Sequence, residues 1–267
     1  MKKHLVKIIN SYRIGKRIID DKFFVNTNLA TQKEIRKRPK RTEIINYLLS
    51  LTDSKLYLEI GVRDPRKNFD KINCHKKYSV DPGVEFEENP VDFKITSDKF
   101  FDKLQLGELT IPPESKFDVI FIDGLHISDQ VDRDIKNALK FIKDNGFIIL
   151  HDCNPPTEFH QRESYNFLNS PAHSFWNGTT WKAFYKHRHN SNLYSICFDS
   201  DWGVGILAKK QHLEFNNIQS SIENPYFEFS KLDDNRKEVL NLHSFEDWKN
   251  KKKINFNETF NSPMKNE

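Results

Sequence analysis

Two short runs carry most of the chemistry this sequence can support: Asp118-Val-Ile-Phe-Ile-Asp123-Gly-Leu-His126 and Ile149-Leu-His151-Asp152. Each is an apolar stretch, the mark of a buried strand, ending in a carboxylate with an imidazole close by. If the two strands lie side by side, Asp123, His126, His151 and Asp152 can converge on one ion. Two carboxylates, water and a bidentate substrate suit Mg²⁺ or Mn²⁺, and a histidine among the ligands shifts the preference towards Mn²⁺ or another metal that accepts imidazole. An imidazole beside such a centre can also accept a proton. The plainer alternative is that these side chains only cap turns and touch a cofactor.

A second pair of strand ends points to a bound cofactor. Leu58-Glu59-Ile60-Gly61 closes one strand and Val80-Asp81-Pro82 closes the next. A glycine lets backbone approach a ligand, and an acid about twenty residues further on can accept hydrogen bonds from both hydroxyls of a ribose. The dinucleotide fingerprint G-x-G-x-x-G is absent, because Gly61 is followed by Val-Arg-Asp-Pro-Arg. Such a loop is poorly suited to a pyrophosphate. A sulfonium cofactor has no phosphates, so one close glycine suffices, and Glu59 can serve its cationic amino acid end. The expected cofactor contacts are Glu59, Gly61, Val62, Asp81, Ser97 and Asp123.

The elements that must hold these residues follow from periodicity. Residues 1–41 read as a basic amphipathic element (Leu5, Ile8, Ile9, Tyr12) followed by a linker, and Ile44, Ile45, Leu48 and Leu49 share one helical face. Strands are expected at Lys55–Gly61, Lys77–Asp81, Val91–Thr96, Phe117–Asp123 and Phe147–Asp152. Val131, Ile135, Ala138, Leu139 and Ile142 mark a helix between the last two. Ser128 is placed to cap that helix and Asp144-Asn145-Gly146 to end it. Alternating apolar strands and helices predict a mainly parallel sheet covered on both faces, with Gly61, Asp81, Ser97, Asp123 and Asp152 on one rim. Leu193–Phe198 and Val204–Lys209 form an expected hairpin, giving an antiparallel edge. The catalytic domain should span 42–213, and 214–267 a polar appendage with a packed helical part to about Trp248 and a frayed tail.

The run Tyr57-Leu-Glu-Ile-Gly-Val62, the Val80-Asp81-Pro82 strand end, Phe121-Ile-Asp-Gly-Leu-His126 and Ile149-Leu-His-Asp152 resemble metal-dependent class I methyltransferases, nearest to sugar O-methyltransferases of the macrocin type. Small bacterial enzymes linked to capsular and other surface polysaccharides are similar also through Asn177-Gly-Thr-Thr-Trp-Lys-Ala-Phe184 and Asp201-Trp-Gly-Val-Gly205. The resemblance spans about residues 55–209. It implies a Rossmann-like α/β fold with a mainly parallel seven-stranded sheet, an antiparallel edge strand and helices on both faces. It implies S-adenosylmethionine (SAM) as methyl donor, a metal on Asp123 and Asp152, and His126 as general base. Macrolide-sugar members have a second acidic ligand just before Asp152; here that position is His151, taken as the third ligand. The acceptor it implies is a sugar hydroxyl in a saccharide or surface-polysaccharide precursor.

Composition removes several other classes. With 267 residues and no apolar run of about 18 residues or signal-type N-terminus, the chain reads as a soluble cytoplasmic enzyme without a membrane span. Cys74, Cys153 and Cys197 lack metal-type or disulfide-type spacing. The dense basic run from Lys33 to Arg41 reads as a solvated face or linker, with contact to phosphate, an anionic polymer or a membrane surface as the alternative. No nucleic-acid partner is expected; peripheral membrane contact and a homo-oligomer remain compatible. Two rival enzymes fit part of the pattern: a metallohydrolase using the Asp/His cluster to activate water, and a glycosyltransferase reading Asp199-Ser-Asp201 as a metal-binding DxD. Trp176, Trp181, His187, Arg188 and His189 are placed to roof the site and offer flat stacking surfaces to a sugar.

Overall fold

The computed structural model describes residues 2–86, 88–210 and 222–251. Seven strands form one sheet: β1 (Leu56–Ile60), β2 (Lys76–Val80), β3 (Phe117–Ile122), β4 (Ile142–Leu150), β5 (Tyr194–Phe198), β6 (Val204–Ala208) and β7 (Leu242–His243). Their order across the sheet is β2-β1-β3-β4-β6-β5-β7. Only β6 runs against its neighbours. The expected hairpin is therefore present on this side of the sheet, with the reversed strand two places in and β5 and β7 outside it.

The pleat sorts each strand's side chains between two cores. Leu58, Ile60, Ile120, Ile122, Ile148 and Leu150 face one side, where α4 (Ser97–Gln105), α5 (Ser128–Phe141) and α6 (Thr180–Arg188) pack. Tyr57, Val119, Phe121, Phe147 and Ile149 face the other, against α3 (Arg41–Leu49) and the C-terminal Phe245 and Trp248. Both faces are thus covered, which is why the central strand β3 is buried at every position. On α5, Val131, Ile135 and Ala138 are at most 2% exposed, and each of the two larger side chains contributes about 1.5–3 kcal/mol by burial.

The structure corrects four local expectations. Where a linker was expected, α1 (Lys2–Ile19) is followed by a second helix, α2 (Lys22–Arg36). Its inner face is polar, with Thr27, Thr31 and Glu34 buried, so apolar periodicity does not reveal it. Thr31 Oγ1 meets His160 Nε2 at 3.0 Å, and Glu34 accepts from the Trp202 amide at 2.8 Å. Second, Ser128 does not cap α5 with its side chain; its amide donates to Thr179 Oγ1 at 2.8 Å, so a distant hydroxyl satisfies that helix end. Third, α5 stops at Phe141, and Asp144-Asn145-Gly146 lie inside β4 at an irregularity in its pairing with β3. A Cβ on Gly146 would sit 2.7 Å from the Asp118 carbonyl, so glycine is required by close packing there. Fourth, Val91–Thr96 contributes a single bridge, Val80 to Phe93, in place of a strand. Asp92 explains this: its carboxylate takes the Ser79 amide at 2.8 Å and hydroxyl at 2.7 Å, replacing ladder bonds with side-chain ones.

Beyond β6, α7 (Phe229–Asp234), α8 (Arg236–Val239) and β7 pack the chain back onto the sheet, and Trp248 is 1% exposed. The tail expected to fray lies, from residue 252 on, outside the described residues.

Candidate active site

Because β2, β1, β3 and β4 are neighbours and parallel, their C-terminal ends share one rim, the place where open α/β sheets bind ligands. Gly61 leaves β1 with φ +89°, and a Cβ there would lie 2.3 Å from the Asp123 carbonyl. The turn after β1 and the turn after β3 therefore touch backbone to backbone, and only glycine allows it. The Gly61 amide donates to the Val80 carbonyl and the Asp123 amide to the Ile60 carbonyl, both at 2.8 Å.

Two adjoining cavities open on this rim. The larger, of about 600 Å³, is lined by Glu59, Gly61, Val62, Asp123, His126, His151 and Asp152, with Arg41 and Trp176. The smaller, of about 320 Å³, is lined by Gly61, Asp81, Ser97, Asp123, Gln130 and Asp134. Gly61, Asp123 and Trp176 border both. The expected cofactor contacts, metal ligands and base thus all line one cavity or the other, whereas Trp181, His187, Arg188 and His189, expected to roof the site, line neither. At the smaller one, Asp81 Oδ1 accepts from the Gly83 amide at 2.6 Å and from Asn89 Nδ2 at 2.9 Å. These bonds fix the carboxylate and leave Oδ2 without a partner among the described residues. Asp134 is 1% exposed, and burial pushes its carboxyl up to about 6 even though Ser97 and Gln130 hydrogen bond to it. Glu59, 3% exposed, accepts from Tyr57 Oη at 2.7 Å and Asn68 Nδ2 at 3.0 Å. Burial nevertheless raises it to about 7.

In the larger cavity the two expected runs meet. His126 Nε2 is 3.3 Å from Asp123 Oδ1, and its Nδ1 is 3.2 Å from Asp152 Oδ2. His151 Nδ1 lies 3.1 Å from Asp123 Oδ1 and 3.0 Å from Asp152 Oδ2. Each imidazole therefore bridges the same two carboxylates. Burial opposes charge on His126, but Asp152 and Asp123 outweigh it and raise this imidazole to about 9. The same contest raises His151 well above its ordinary value. Asp123 is held well below the ordinary carboxylate range, because His151 and Arg41 overcome its burial. Asp152 sits at φ +62°, and Asn177 Nδ2 donates to its Oδ1 at 2.9 Å. Asp123, His126 and Asp152 each offer an atom within 4.8 Å of the others, a set able to hold a metal ion. His151 is not in that set, and its Nε2 turns away, 3.4 Å from Asp201 Oδ2 and 3.2 Å from an Arg41 nitrogen.

Sequence reasoning missed Arg41, assigned to a linker. Its guanidinium lies 3.7 Å from Asp123 Oδ2 and 3.3 Å from Asp201 Oδ2. The basic run is solvated only in part: Lys33, Arg36 and Arg38 are exposed, while Lys37 pairs with Glu34 and Asp199, and Lys40 with Asp201. These contacts also commit Asp199 and Asp201 to partners inside the chain, which removes the support for a DxD site. Asn177 was within reach of sequence reasoning, since it opens the Asn177–Phe184 motif, and Trp176, expected to roof the site, borders both cavities. Trp176 stacks on His126, with ring centroids 5.2 Å apart and planes 25° apart. Trp181, by contrast, is fully buried and belongs to the core.

The sheet order with one reversed strand, and helices on both faces, is a Rossmann-like α/β architecture. Residues 66–153 match the family model described as a methyltransferase domain. That stretch takes in β2, β3, α5 and β4 with Asp81, Asp123, His126, His151 and Asp152, and over it the chain carries a methyltransferase domain. No curated protein matches the sequence. Among solved structures, similarity is found to a Klebsiella pneumoniae protein provisionally described as an O-methyltransferase, at 14% identity, covering 75% of this chain and 96% of that one with a TM-score of 0.44. Methyltransferase PaMTH1 of Podospora anserina, with S-adenosylhomocysteine bound, is 14% identical over 76% of this chain and 96% of its own, TM-score 0.43. O-methyltransferase TomG of Streptomyces achromogenes, involved in tomaymycin synthesis and bound to SAM, is 12% identical over 71% and 90%, TM-score 0.41.

Proposed function

We propose that this protein is a SAM-dependent O-methyltransferase of the macrocin-type sugar group, acting on a hydroxyl of a saccharide or surface-polysaccharide precursor with the help of Mg²⁺ or Mn²⁺. The observation that carries this reading is the continuity of the two cavities through Gly61 and Asp123. A donor stretched along them places its ribose at Asp81 and its cationic amino acid end near Glu59, with Val62 and Ser97 along its length. Its sulfonium then points at the Asp123, His126 and Asp152 group, the Trp176 indole offering a flat surface for a sugar ring.

The donor set fits a divalent ion: two carboxylates and an imidazole close enough to share one centre. Asp123 and Asp152 would hold it, with His151 braced behind both carboxylates through Nδ1. Such an ion lowers the pKa of a bound hydroxyl and neutralises the charge of the two acids. His126 is the proton acceptor. With both ring nitrogens facing carboxylates it holds its proton; with those acids neutralised by an ion it would release that proton and then accept the one from the acceptor hydroxyl. Holding the acceptor oxygen in line with the methyl carbon supplies the larger share, up to about 7–11 kcal/mol, against roughly 3–5 kcal/mol for a general base.

Isothermal titration with SAM, followed by methyl transfer to saccharide acceptors with and without chelator, tests the reading. Binding of SAM with activity lost in chelator and restored by Mg²⁺ or Mn²⁺ is expected. A protein that binds the metal but not SAM would be a hydrolase using the same cluster. Full transfer activity in chelator would remove the ion from the mechanism.

A further inference from the structure

The N-terminal helix α1 contributes nothing to the rim, yet its composition is not that of an inert surface. Every described residue from Lys3 to Asp20 is exposed apart from Gly15, which is half-buried. Leu5, Ile8, Ile9 and Tyr12 follow the i, i+3, i+4, i+7 spacing of one helical face, and Ile19 returns to it two turns later. They are 59%, 53%, 42%, 71% and 69% exposed, an apolar stripe on a helix about 27 Å long at 1.5 Å per residue. Beside and across from it the sequence places Lys2, Lys3, Lys7, Arg13 and Arg17 together with the exposed Val6, Ile14 and Ile18; Lys16 falls on the stripe itself, and the helix holds no Asp or Glu.

We propose that α1 lies on an anionic lipid surface, its apolar stripe sunk to the acyl boundary and its cations against phosphate headgroups. Three features select this partner. An exposed stripe of this size needs an apolar environment, which a polyanion such as nucleic acid does not offer. Self-pairing of two α1 helices would bring together two segments whose charges are all positive, and like charges oppose that contact. A helix combining an apolar face with a Lys/Arg-rich remainder matches the chemistry of an interface that is apolar inside and negative outside. No helix among the described residues is long and apolar enough to cross a membrane, so the contact is peripheral, and it would carry the rim to acceptors held at that surface.

Flotation of the full chain with phosphatidylcholine vesicles, with and without phosphatidylglycerol, tests this. The chain should float with the anionic vesicles and stay behind with the neutral ones. Ile8→Ala combined with Ile9→Ala, which keeps helix propensity, should weaken binding at least about tenfold by loss of buried methylenes. Lys7→Gln and Arg17→Gln should each cost about fivefold. Absence of flotation overturns the proposal. So does binding insensitive to the isoleucine pair, which would mark a purely electrostatic polyanion contact. A vesicle-independent dimer that the isoleucine pair dissociates would assign the stripe to a second copy instead.

Discussion

Asp134 offers the sharpest test of the electrostatics at the rim, because its cost can be worked out and its removal is nearly isosteric. The side chain is enclosed between α5 and α4, accepting from Gln130 Nε2 at 3.0 Å, and burial raises its carboxyl from 3.8 to about 6. A carboxyl raised on folding stabilises the protonated form. Its contribution is fully present below pH 4 and is lost as the pH rises through about 6. A rise of roughly two units corresponds to about 3 kcal/mol of folding stability lost by pH 7.5. Asp134→Asn keeps an oxygen for Gln130 and removes the titration. The variant should match the wild type near pH 4 and exceed it by up to about 3 kcal/mol at pH 7.5. For a domain of this size that is a melting-temperature gain of about 6–12 °C. Thermal unfolding of both proteins at a series of pH values reads the difference directly. A difference that stays constant with pH, or that favours the wild type increasingly above pH 6, would refute the reasoning.

Four further outcomes are expected. Gly61→Ala should lower stability by at least about 1–2 kcal/mol from the left-handed backbone alone, and abolish SAM binding by titration, since the added carbon meets the Asp123 carbonyl at 2.3 Å. Arg41→Ala leaves Asp123 and Asp201 without their shared guanidinium. It should destabilise by about 3 kcal/mol in urea unfolding, and Arg41→Lys should rescue little because one ammonium cannot span the same partners. SAM affinity should strengthen from pH 6 to pH 8 as Glu59, raised to about 7, ionises towards the donor's ammonium, and Glu59→Gln should flatten that profile. His126→Ala should reduce turnover by about 10²–10⁴-fold with SAM affinity little changed, and unchanged turnover under chemistry-limited conditions would remove His126 as the base.

The sequence by itself determined the sheet's apolar strands and the chemistry at their ends. Leu58, Ile60, Ile120, Ile122, Ile149 and Leu150 are buried because an apolar run of strand length has nowhere else to go. A parallel order then delivers Gly61, Asp81, Asp123, His151 and Asp152 to one rim. Local periodicity carries this information because the burial of each strand depends on its own residues. What only the tertiary structure decided depends on polar partners far apart in the chain. The polar inner face of α2 is stable because Thr31 finds His160 and Glu34 finds the Trp202 amide. The start of α5 is satisfied by Thr179, and Asp92 replaces a strand ladder by binding Ser79. Arg41 looks like one of several surface cations until folding brings it to Asp123 and Asp201, 82 and 160 positions away. Charge pairing has no period, so a pattern along the chain can show that a basic run exists but not which carboxylates will neutralise it.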